Sequence, residues 1–108
     1  MDRFETGTLR AYYGALLTDR QNELIRLHCD EDISLGELAE MFSVSRQAVL
    51  DGIRRGESAL TEYESKLGLA ARDGRAVGLL AEAEAALSRG DSAECTRCIG
   101  AAKALLEE

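Results

Sequence analysis

The apolar positions of this chain recur at spacings of three and four, and from Leu9 onward they predict one helix after another. Leu9, Tyr12, Tyr13 and Leu16 form a first stripe on a helix over about 7–16, with Arg10 outside it. Thr18 and Gln21 make a capping box, Asp19 suits the positive end of the helix dipole, and Leu17 precedes the cap. This second helix runs to Cys29 and buries Leu24, Ile25 and His28, with Leu27 flanking; on the first helix Tyr13 keeps its hydroxyl at a rim. An acidic loop, Asp30-Glu31-Asp32, follows.

Ser34 and Glu37 make a second capping box, after which Leu35, Leu38, Ala39 and Phe42 face a core. Ser43 is placed as a tight turn, where a left-handed backbone is easier for glycine than for serine. Val44 is the apolar plug beneath it and Ser45 the N-cap of the next helix. Ala48, Val49 and Ile53 then point inward, leaving Arg46, Gln47, Leu50, Asp51 and Arg54 outward. Two helices joined in this way are a helix-turn-helix, which places its second helix in a DNA major groove. Ser45, Arg46, Gln47, Leu50, Arg54 and Arg55 are the candidate nucleic-acid contacts. The helix start can take a phosphate, Arg or Gln a base edge, and Leu50 a thymine methyl or a protein partner. Arg54 is in reach of Asp51, three residues earlier.

The apolar stripe continues past this motif. Val49, Ile53, Gly56, Leu60, Tyr63 and Leu67 are spaced four and three alternately, which predicts one helix over 46–66, about 30 Å long. Its far half needs cover from the first helix, from the C-terminal segment or from a second subunit. A homodimer through Gly56, Leu60, Tyr63 and Leu67 is the expectation, since it would also place two recognition helices on one nucleic acid. Residues 1–68 thus form the helix-turn-helix domain, and Gly68 is its C-cap. Residues 69–75, around Asp73-Gly74, read as a linker, and 76–108 as a helical hairpin. The hairpin's apolar sides are Val77, Leu80, Ala83, Ala86 and Leu87, then Cys95, Cys98, Ile99, Ala102, Leu105 and Leu106. One such unit cannot bury its own face.

VSRQAV after L-x-E-L-A-E-x-F is similar to the tail region of sigma factors that reads the promoter −35 element. The wider run, L-x-x-YYGxLLTxxQ and then SLxELAExFxVSRQAVxDxIxRxExxLxxYExKLGL, resembles the YlxM family over about 9–69. The resemblance implies a sigma region 4-like helix-turn-helix core. With the extended last helix, and with the C-terminal hairpin that it does not cover, both read from the apolar spacing, the expected fold is all-α. The resemblance also implies a cytoplasmic, non-enzymatic nucleic-acid-binding regulator or adaptor linked to the signal recognition particle pathway, on DNA or RNA.

Charge changes this picture. Thirteen basic residues against twenty acidic ones leave a net charge of −7, where Lys and Arg supply most sequence-independent DNA affinity. The alternative is therefore a protein-interaction module whose acidic surface and heptad stripe bind protein. The absence of proline and the wealth of Ala, Leu, Glu and Arg agree with helices throughout. MDRFETGT has no apolar core of a signal peptide, and no apolar run suffices to span a bilayer. Three cysteines without an export signal suggest reduced thiols. Cys95-x-x-Cys98 could hold half a zinc site, but His28 and Cys29, the only further His and Cys, are neighbours and diverge on a helix. Two small apolar residues in a helix interface are the expectation, with no metal and no cofactor. One histidine, no P-loop and no nucleophile elbow leave nothing that predicts an enzyme.

Overall fold

A computed structural model describes residues 1–107. Six α-helices and, among the described residues, no strand make the chain all-α. It divides into two compact units, one over Met1–Leu67 and one from Gly68 on.

In the first unit α1 spans Arg3–Tyr13 and starts on Asp2, whose Oδ1 accepts from the Glu5 amide. It begins four residues before the expected helix start at Gly7, and its buried side chains are Thr6 and Tyr13. Tyr12 and Leu16 are exposed. Tyr12 lies off the α1 face set by Thr6 and Tyr13, and the tighter winding of the 3₁₀ turn at Gly14–Leu16 carries Leu16 off that face too. Arg10 is turned inward as well: its Nε donates to Asn22 Oδ1 at 2.9 Å and its Nη1 lies 2.9 Å from Asp30. The Tyr13 ring is buried and its hydroxyl donates to Glu64 Oε1 at 2.6 Å.

Helix α2 covers Asp19–Ile25 behind the Thr18–Gln21 capping box, with Leu24 and Ile25 buried. A single π turn, Arg26–Asp30, extends it and buries Leu27. His28 is half-buried, its Nδ1 donating to the Ile33 carbonyl at 2.8 Å. Arginines from α1 and the π turn meet every carboxylate of the acidic loop: Arg3 at Asp32, Arg10 at Asp30, Arg26 at Glu31.

Helices α3 (Leu35–Phe42) and α4 (Arg46–Leu67) complete the unit, with α4 packed against α1, α2 and α3. The inner stripe of α4 is Val49, Ile53, Gly56 and Leu60, all buried. A Cβ on Gly56 would stand 2.5 Å from Ile25 Cδ1, so α2 crosses α4 at closest range there. This corrects the reason for a dimer through the stripe. Gly56 and Leu60 are sealed within the chain, and Tyr63 is half-covered, its hydroxyl donating to the Leu16 carbonyl and its ring 6.1 Å from that of Tyr13. Of the four residues, only Leu67 stays exposed.

In the second unit α5 spans Leu69–Ser88 and α6 spans Ser92–Glu107, with Gly90 in the left-handed region between them. Asp91 Oδ1 caps α6 by accepting from the Glu94 amide. Residues 69–75 are no linker: they are the first two turns of α5, and Gly74 lies within the helix at a cost of about 1 kcal/mol that a long helix tolerates. The two helices meet through small side chains, Ala76, Ala83, Ala86, Cys98 and Ala102. Val77, Leu80, Leu87, Ile99 and Leu106, expected inside, are exposed, because alanine-lined helices approach too closely to admit them.

The Cys98 thiol is buried and within 3.6 Å of Glu94 Oε1; burial first, then this carboxylate, pushes its pKa above the ordinary value. The folded protein in neutral iodoacetamide should therefore keep Cys98 unlabelled until denaturant is added, while half-buried Cys95 reacts. Equal labelling of the two by peptide mass mapping would contradict this packing.

Candidate nucleic-acid interface

The interface is built on two helix caps and one strained turn. Ser34 Oγ accepts from the Glu37 amide at 3.1 Å, and Glu37 Oε1 accepts in return from the Ser34 amide. That fixes the start of α3, which inserts Leu38 and Ala39 into the core. At the other end Ser43 takes φ 54° and ψ 46°, a left-handed conformation that costs a non-glycine residue about 1–2 kcal/mol. The Val44 amide then reaches back to the Ala39 carbonyl at 3.0 Å, so α3 ends in a Schellman turn. Ser45 Oγ accepts from the Ala48 amide at 3.0 Å and starts α4.

From this start, Arg46, Gln47, Arg54 and Arg55 are exposed with Ser45, and Leu50 is half-buried. Gln47, Leu50, Asp51 and Arg54 share one face of α4 at spacings of three, one and three. Arg46 leans back on α3, its Nε 4.0 Å from where a Cβ on Gly36 would stand. Two expectations are corrected here. Val44 is 37% exposed rather than a plug, and Ala48 is exposed rather than inward, since Val49 and Ile53 alone set the phase of the buried stripe. Asp51 pairs with Arg55 at 3.1 Å, the (i, i+4) arrangement, and leaves Arg54 without it.

The first unit has eight basic side chains. Arg3, Arg10, Arg26, Arg55 and Lys66 each hold a carboxylate within 4 Å. Arg20, Arg46 and Arg54 hold none among the described residues, and all three border the helix-turn-helix. Arg20 had no signal in the sequence. It stands in the first turn of α2, with its guanidinium carbon 4.6 Å from the centroid of the Phe42 ring.

Among the described residues no group of three or more His, Cys, Asp or Glu side chains could hold a metal ion. None of their helices is long and apolar enough to cross a membrane.

Capped α3, a left-handed turn and a capped, arginine-bearing α4 define a helix-turn-helix protein. The chain belongs to the UPF0122 family, described as "Putative helix-turn-helix protein, YlxM / p13 like", whose pattern matches residues 2–96. That is a helix-turn-helix class and not an enzyme class. Among its relatives, UPF0122 protein STH1464 of Symbiobacterium thermophilum is 50% identical over 93 residues, 86% of this chain and 87% of that protein. A UPF0122 protein of Desulforamulus reducens is 42% identical over 100 residues, covering 93% and 86%. One from Lacticaseibacillus casei is 52% identical over 66 residues, covering 61% and 58%. The family match thus runs past residue 69, where the sequence resemblance was drawn to end, through α5 and into α6.

Proposed function

We propose that the first unit binds duplex DNA, with the outer face of α4 in the major groove and Ser45, Arg46, Gln47, Leu50, Arg54 and Arg55 as its contacts. The observation that carries this reading lies in the first unit: its three arginines without a carboxylate partner, Arg20, Arg46 and Arg54, all border the helix-turn-helix. The choice of DNA over RNA follows from groove shape. The B-form major groove, about 12 Å wide, admits a helix, whereas that of A-form RNA is too narrow for side chains to read. With Arg20 and Arg55 added to Arg46 and Arg54, four phosphates at most are neutralised, so log affinity should fall with log salt at a slope no steeper than about −4.

Anisotropy of a short labelled DNA duplex tests the reading. Arg46→Ala should weaken binding by about 1–3 kcal/mol, and Arg97→Ala, on α6 and paired with Glu94, should not. Equal losses from the two, or tighter binding of the matching RNA duplex, would remove α4 as the reader. The signal recognition particle link comes from the YlxM resemblance alone. Recovery of that particle's RNA or protein with the chain from cell extract supports it, and recovery of DNA without either removes it.

A second reading, a protein-interaction module, is favoured by the exposed Val77, Leu80, Leu87, Ile99 and Leu106 of the hairpin. With Gly56 and Leu60 sealed, a homodimer belongs to this reading. Light scattering on wild type and Leu87→Glu checks it: a monomeric wild type removes the dimer.

A further inference from the structure

Arg20 and Phe42 lie 22 positions apart and on different helices, yet the guanidinium carbon of one is 4.6 Å from the ring centroid of the other. We infer that this cation–π pair is a phosphate-backbone anchor of the interface, separate from the recognition helix; the inference rests on the DNA reading above. Its position comes from the two caps. The Thr18–Gln21 capping box starts α2 and turns exposed Arg20 outward from buried Leu24 and Ile25. Phe42 is the last residue of α3, and the left-handed Ser43 follows it directly. The cation therefore stands beside the turn that delivers Ser45, Arg46 and Gln47 to the groove.

Its chemistry suits a phosphodiester. The guanidinium carbon stands over the ring face, and a guanidinium carries five N–H donors in its own plane. None of them donates to an acceptor among the described residues, in contrast to Arg10 and Arg26, whose forks are engaged by Asn22, Asp30 and Glu23. Contact with the ring places the cation before any ligand arrives, which lowers the ordering cost of a phosphate contact. A base is not the expected target. Arg20 is on α2, outside the helix that enters the groove, and contacts from flanking elements go mainly to phosphate and fix register.

A purely structural role would be to shield half-buried Phe42 from water. Arg20→Met separates the two, since a methionine can lie on an aromatic ring but carries no charge and no donor. With labelled random-sequence DNA duplexes, the Met variant should keep the wild-type melting temperature and lose about tenfold or more in affinity at low salt. Its salt slope should be shallower by about 0.9, and the loss should be equal for every duplex sequence. Arg20→Lys should recover the slope but not the full affinity, because a point charge lacks the planar fork. Unchanged affinity and slope in the Met variant, alongside lost binding in Arg46→Ala, would overturn the anchor and leave the DNA reading intact. A loss confined to particular sequences would also overturn it, because Arg20 would then read a base. A wild type that binds no duplex overturns both.

Discussion

Leu60→Glu should unfold the first unit, whereas Leu67→Glu should leave it folded. Leu60 is 0% exposed on the inner stripe of α4, and Leu67, one heptad later, is 55% exposed. Losing a buried leucine costs about 2–5 kcal/mol, and a carboxylate without a partner in the same place adds several more. At roughly 0.05–0.15 kcal/mol per residue, a unit of this size has about 3–10 kcal/mol in total. The substitution therefore exceeds or exhausts it, while a change at the exposed position stays within about 0.5 kcal/mol. The penalty should ease in acid, because a protonated carboxyl has no charge to bury. Circular dichroism would show loss of the cooperative transition at neutral pH for the first variant only. A Leu60→Glu protein that melts like the wild type would mean that α4 is not packed as described. Under the proposed function the variant would also lose DNA binding, through unfolding and not through a broken subunit contact.

Much of this arrangement is legible in the sequence, and the legible parts share a cause. Both capping boxes, the Ser45 cap and the Gly90-Asp91 break are local chemistry, in which a side chain meets a backbone amide three residues away. The unbroken length of α4 follows from the 4-3 period, which two glycines do not interrupt. What is not legible depends on partners far along the chain. The heptad stripe is visible, but what covers it is decided by Ile25 and Tyr13, which also cover the positions assigned to a dimer. The stripe of α1 is misphased because its buried face runs through Thr6 and Tyr13, and the 3₁₀ turn after it moves Leu16 away, which neither Leu16 nor Gly14 signals. Asp73-Gly74 has the composition of a turn, yet lies within a helix of 20 residues. In the hairpin, small and large apolar residues stand on adjacent faces, and only the closeness of the helices selects the small ones as core. For the interface, the recognition helix carries its own local signal. Arg20 carries none, since its meaning arises from a ring on another helix.

Gly56→Leu should lower the melting temperature of the first unit by about 10 °C, and Gly78→Ala should raise that of the second. At Gly56 even a Cβ would stand 2.5 Å from Ile25 Cδ1 and 3.5 Å from Gln21 Cβ, and Ile25 is fully buried. A leucine adds three further carbons to that crossing, so α2 has to move outward or Ile25 leave its rotamer. Overpacking of this kind costs about 3 kcal/mol, against about 0.8 kcal/mol regained in helix propensity. The net loss is about 2 kcal/mol, which at roughly 4–8 °C per kcal/mol gives the stated shift. At Gly78, within α5, a Cβ meets nothing within 4 Å, so only the propensity gain of about 0.8 kcal/mol remains. The two changes thus have opposite signs for one reason, the distance to the opposing helix. The displaced α2 also carries Arg20, so Gly56→Leu should weaken DNA binding even where the protein is still folded. Separate thermal melts of both variants check the signs. A Gly56→Leu protein as stable as the wild type would show that α2 does not cross α4 at this glycine.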